Sequence, residues 1–123
     1  MSGNSCLLDT NTVLYILNGD ETLADFLFEK QLYVSIITEM ELLAYKNITA
    51  AEEQTIEKFL NDCIILGIDN KTKLNSIDVK KASNMKLPDS IIAGTAISLN
   101  LPLITSDRQF KTVTGLDLIY YEK

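Results

Sequence analysis

The sequence contains no histidine, and that absence removes several enzyme classes. Without an imidazole, neither a Ser-His-Asp nor a Cys-His nucleophilic apparatus can be assembled, and a zinc site would have to rely on cysteine. Cysteine is scarce too. Cys6 and Cys63 each lie in an apolar stretch, Cys6-Leu-Leu and Cys63-Ile-Ile-Leu, so both read as buried core thiols, not ligands or a disulfide. The glycines, Gly3, Gly19, Gly67, Gly94 and Gly115, are too dispersed for a G-x-G-x-x-G dinucleotide turn. No apolar run reaches the roughly 20 residues that a membrane span needs. Met1-Ser-Gly-Asn-Ser lacks the basic start of a signal peptide, and Asp9 soon breaks the first apolar segment. The expectation is a soluble, cytoplasmic protein with no membrane contact.

Positive charge is also in deficit. Arg108 is the sole arginine, and 17 acids against 11 bases give a net charge of −6. Counterion release rewards clustered Lys and Arg, so this balance argues on its face against a nucleic-acid ligand. The objection weakens if the acidity is concentrated. With four acids set aside as one metal site, 13 acids face 11 bases, and two divalent ions would offset the site's own charge.

What is present is a chain of 123 residues, 46% hydrophobic, enough for a single domain over residues 1–123 with one continuous core. Short apolar, often β-branched segments at 6–8, 32–37, 63–68, 101–105 and 116–121 predict five strands. Between them, i, i+3, i+4 apolar spacing predicts helices at 14–17, 22–29, 38–45, 50–62, 72–84 and 89–100. Thr49-Ala-Ala-Glu52 is a capping-box pattern, Pro88 stands at the start of the last helix and Asn100 at its end. Residues 70–75 read as a polar turn leading into a helix. Strands alternating with helices across short connections predict a three-layer α/β/α fold with a mostly parallel five-stranded sheet.

Four carboxylates fall at informative places in this pattern. Asp9 ends the first strand, where open α/β sheets bind ligands. Glu41 follows the second strand, although Thr38 and Glu41 also match a capping box, which would need no further function. Asp89 follows Pro88 at the start of a helix, where it would complement the helix dipole in any case. Asp107 follows the strand at 101–105 and could merely cap a turn toward Phe110. Taken singly, none of the four identifies a site. Together they place four acids at one rim of the sheet, the all-oxygen donor set that Mg2+ or Mn2+ prefers and that suits phosphoryl chemistry.

The motifs around these acids resemble those of the PIN-domain ribonucleases. Leu7-Leu8-Asp9-Thr10-Asn11-Thr12-Val13-Leu14 resembles the first motif of that family, and Val34-Ser35-Ile36-Ile37-Thr38-Glu39-Met40-Glu41-Leu42-Leu43 the second. Leu87-Pro88-Asp89-Ser90-Ile91-Ile92-Ala93-Gly94-Thr95-Ala96 and Leu103-Ile104-Thr105-Ser106-Asp107-Arg108-Gln109-Phe110 resemble the third and fourth. Order and spacing agree over nearly the whole chain. The resemblance implies that Asp9, Glu41, Asp89 and Asp107 are the catalytic, metal-binding acids for Mg2+ or Mn2+, with Thr105 and Asn11 in support. It implies an RNA substrate. Arg108 or Lys86 could contact a phosphate, although an exposed basic side chain is more often only solvated. Chains of this size in the family are most often VapC-like toxins, restrained by an antitoxin and frequently homodimeric.

Two other readings compete. The fold could serve as a catalytically inactive partner-binding module, with Leu42, Leu43, Tyr45, Phe59 and Leu60 lining an apolar groove. Asp9-Thr-Asn11-Thr also faintly resembles the Asp-x-Asp motif of haloacid-dehalogenase-like phosphatases. There, Asn11 would stand where the general acid is needed, and the chain leaves no room for a cap domain.

Overall fold

The computed structural model describes residues 4–123. Strands β1 (Ser5–Leu8), β2 (Gln31–Ser35), β3 (Ile64–Leu66), β4 (Leu103–Thr105) and β5 (Leu118–Tyr120) form one sheet in the order β3-β2-β1-β4-β5. Every neighbouring pair is parallel. Helices α1 (Thr10–Leu17), α2 (Glu21–Leu27), α3 (Ile36–Leu43), α4 (Ala50–Asn61), α5 (Asn70–Ala82) and α6 (Leu87–Leu99) connect the strands, with a 3-10 turn at Arg108–Thr112. The three-layer α/β/α reading holds.

Alternation along central β1 explains the layers. Cys6 and Leu8 join Val13, Leu23, Leu42 and Ile56, so α1 to α4 cover one face. Leu7 points the other way, among Val79, Ile92, Ala96 and Phe110, where α5, α6 and the 3-10 turn pack. Burial on both faces makes such a strand read as continuously apolar instead of alternating. Gly94 permits the close approach of α6 to α5. A Cβ there would lie 2.7 Å from the Ser76 backbone nitrogen and 2.8 Å from its Cα, and closer still to its Oγ. Burial raises the pKa of both free thiols, Cys6 and Cys63, to about 11, in keeping with core cysteines.

The helix starts are set by side-chain caps, and two expectations are corrected by them. Ser35 Oγ accepts from Ile37 N at 3.0 Å, so α3 begins at Ile36, and Ile36 and Ile37 are helical although their β-branched character suggested strand. Thr38 and Glu41 consequently do not form a capping box. Asp69 Oδ1 accepts from Thr72 N at 2.8 Å and starts α5 at Asn70, so the stretch read as a polar turn at 70–75 is helix. The capping box of Thr49 and Glu52 forms as expected, Pro88 lies in the first turn of α6, and Asn100 closes it in the left-handed conformation, φ 54°. Among the described residues, no helix is long and apolar enough to cross a membrane.

Candidate active site

The strand order reverses direction at β1: the chain builds outward through β2 and β3, then returns to place β4 on the other side of β1. At such a switch point the loops leave the carboxyl ends of two adjacent strands in opposite directions and open a crevice. Leu8 pairs with Ile104, so Asp9 after β1 and Asp107 after β4 stand at the same end of the sheet. Glu41, in α3, and Asp89, in the first turn of α6, complete the set. All four acids line one cavity of about 670 Å³.

Each acid is held by neutral donors. Asp9 is nearly buried, 5% exposed. Its Oδ1 caps α1 by accepting from Thr12 N at 2.9 Å, and its Oδ2 accepts from Thr105 Oγ1 at 2.5 Å. Thr105 Oγ1 in turn accepts from Asp107 N at 3.0 Å, which ties the first acid to the fourth. Thr10 Oγ1 lies 2.7 Å from Glu41 Oε1, to which it donates, and 3.0 Å from Thr38 Oγ1. Asp107 Oδ1 accepts from Gln109 N at 3.0 Å and so does cap the turn, as its local sequence suggested. Gln109 Nε2 then donates to Asp107 Oδ2 at 2.7 Å and to Asp89 Oδ2 at 3.0 Å.

Among the described residues, no lysine or arginine lines the cavity. Among the described residues, the ion pair of Lys123 with Asp20, at 2.6 Å, involves none of the four acids. The carboxyl pKa of Asp9 is raised, first by burial and further by the charge of Asp107, against the lowering bonds from Thr105 and Thr12. That of Asp89 is raised by burial and by Asp107, Glu41 and Asp9, against the bond from Gln109. The four acids therefore sense one another. Among the described residues, no three acids close on a common ligating point in this arrangement.

The other predicted site residues divide. Thr105 supports the first acid directly. Asn11 is exposed on the cavity wall. Arg108 and Lys86 are exposed, in the 3-10 turn and at the N-cap of α6, and neither lines the cavity. Beyond the acids the cavity becomes apolar, with Leu14, Leu17, Leu42, Tyr45, Ile48 and Ile56 on its walls. Of the residues proposed for an apolar groove, Leu42 and Tyr45 are there, whereas Leu43, Phe59 and Leu60 pack into the core.

Thr10, Gln109 and Tyr121 were not singled out from the sequence. Thr10 directly follows an acid, which was a usable signal. Tyr121 OH reaches Thr12 Oγ1 at 2.8 Å from 109 positions away, and nothing local marks it.

Comparison with known proteins agrees with this architecture. No curated protein matches in sequence. A chain of a toxin–antitoxin complex from Klebsiella pneumoniae superposes with a TM-score of 0.82 at 28% identity, covering 96% of this chain and 99% of that one. Two further structures share the fold. VapBC2 from Rickettsia felis, bound to a promoter DNA fragment, has a TM-score of 0.86 at 20% identity, covering 96% of this chain and 99% of its own. DNA-bound VapBC from Salmonella typhimurium has a TM-score of 0.79 at 22% identity, with coverages of 94% and 97%. The sequence profile of the PIN domain matches residues 6–116. With the four motif acids gathered at the switch point and this match spanning nearly the whole chain, the protein belongs to the PIN domain family, whose members are generally nucleases.

Proposed function

We propose that the protein is a metal-dependent endoribonuclease, the toxin of a VapBC-like toxin–antitoxin pair, acting in the cytoplasm. One observation carries this reading: Asp9, Glu41, Asp89 and Asp107 share one cavity in which the protein supplies hydrogen bonds but no positive charge. The donor set suits a hard divalent cation, Mg2+ or Mn2+, because it is all oxygen and keeps its charge unpaired. When bound, such an ion supplies charge stabilisation for in-line displacement at phosphorus and makes water a competent nucleophile at neutral pH.

The chain's own residues prepare the site. Thr105 and the Thr12 amide fix both oxygens of Asp9, Thr10 aims Glu41, and Gln109 ties Asp89 to Asp107. Asn11 on the wall supplies an amide beside the first acid. On this reading Arg108 and Lys86, exposed outside the cavity, would meet flanking phosphates of an RNA strand.

A partner-binding reading has its own support in the apolar half of the cavity and in Tyr45, which is 70% exposed. An antitoxin docked there would lie against the acids, so binding and restraint of the nuclease would be one event. A homodimer is expected as well. The deciding experiment is cleavage of a fluorescent single-stranded RNA by the antitoxin-free protein with Mg2+, Mn2+ or EDTA, with Asp9→Asn alongside. Cutting that EDTA and the substitution both abolish supports the nuclease. No cutting by the folded wild type under either ion leaves the partner-binding module.

A further inference from the structure

Gln109 touches two of the four acids. Its Nε2 stands 2.7 Å from Asp107 Oδ2 and 3.0 Å from Asp89 Oδ2. A primary amide nitrogen carries two protons and accepts nothing, and an ionised carboxylate only accepts, so each proton goes to a different acid. The two Oδ2 atoms are thus kept within two hydrogen-bond lengths of each other, although like charges on separate elements would otherwise swing apart. The base of the side chain is fixed independently: Gln109 N donates to Asp107 Oδ1 at 3.0 Å, and its carbonyl accepts from Thr112 Oγ1 at 2.7 Å. Substituting the side chain therefore spares the 3-10 turn.

We propose that Gln109 is a positioning residue whose amide sets Asp89 and Asp107 as a pair for one divalent cation and so determines how tightly that cation is held. The inference rests on the metal-dependent reading above. An amide suits the task better than a charged residue. Lysine or arginine at this place would neutralise the pair and compete with the ion, and glutamate would add a third repelling charge. The amide occupies one lone pair on each Oδ2 and leaves the others for coordination. Partners that orient ligating carboxylates in this way commonly set metal affinity.

The test uses the full chain and Mn2+ as the probe. Gln109→Met keeps the length and removes the donors; Gln109→Asn keeps the amide but is one methylene too short to span both acids. Calorimetric titration is expected to show Mn2+ bound roughly tenfold to a hundredfold more weakly by both variants. RNA cleavage falls at limiting Mn2+ and recovers at saturating Mn2+, a split that a merely structural role would not produce. If the Met variant does not fold, as judged by its melting curve in EDTA, the Asn variant carries the same expectation. Variants that bind Mn2+ as tightly as a wild type that binds and cuts would overturn this inference alone. A wild type that binds no Mn2+ would overturn both it and the nuclease reading.

Discussion

Thr105→Val tests the arrangement most severely, because one buried hydroxyl serves two of the acids. Thr105 is fully buried, donates to Asp9 Oδ2 at 2.5 Å and accepts from Asp107 N at 3.0 Å. Valine has nearly the same shape but neither function. A hydrogen bond to a charged group contributes about 1.5–3 kcal/mol, and an ordinary one about 1 kcal/mol, so losing both costs about 2.5–4 kcal/mol. For a domain of this length each kcal/mol moves the melting temperature by roughly 4 °C, which predicts a fall of about 10–15 °C in EDTA.

The same substitution has a pH signature. The Asp9 carboxyl is already raised by burial, and the bond from Thr105 is the largest influence lowering it. Without that bond it rises further. A carboxyl raised in the folded state contributes stability that is fully present below its unfolded value, near 3.8, and is lost as pH rises through the folded value. The deficit of the variant is therefore greatest at neutral pH and shrinks as pH falls through the folded values toward the unfolded one. Thermal melts of both metal-free proteins across that range check it. A deficit under about 1 kcal/mol, or one that does not change with pH, would refute the account of how Asp9 is held.

Ion binding should itself be visible as stability: at free Mn2+ one hundred times Kd, linkage adds about 2.7 kcal/mol, a rise of roughly 10 °C by calorimetry, and Asp9→Asn should lose most of it. Thr10→Val removes the donor to Glu41 at the cavity edge, so stability should change by less than about 1 kcal/mol while RNA cleavage falls roughly tenfold. Gly94→Ala forces a methyl against the Ser76 backbone and should lower stability by about 2–3 kcal/mol in urea denaturation, with no change in Mn2+ affinity.

The sequence carried the layer order and the sheet type because both depend on local patterns: short apolar strands, amphipathic helices and polar punctuation. It misplaced the start of α3 because Ile36 and Ile37 have strand character, and the Ser35 cap that overrides it was hidden behind the more conspicuous Thr38 and Glu41. The start of α5 was missed for the same reason, with Asp69 capping a helix whose first turns are polar. The cavity was legible only as a set of strand ends and helix starts. Which neutral residue holds which acid depends on contacts such as Thr105 with Asp9, 96 positions apart, and Gln109 with Asp89, 20 apart. Residue spacing does not encode those contacts.

On the nuclease reading, the use of neutral donors explains how an acidic protein could act on a polyanion. Away from the cavity, Asp20 is paired with Lys123. The acids of the cavity are held by neutral donors instead. Burial and mutual repulsion raise Asp9 and Asp89, so at neutral pH the ionised cluster opposes folding, while hydrogen bonds from Thr105, Thr12 and Gln109 pull the same groups back toward the charged form. A divalent cation held by these carboxylates would relieve that opposition. On the nuclease reading, the bare cavity repels a phosphodiester and the loaded one attracts it. The net charge of −6 is then no argument against an RNA substrate, because the charge that matters at the site is the sum of acids and ions.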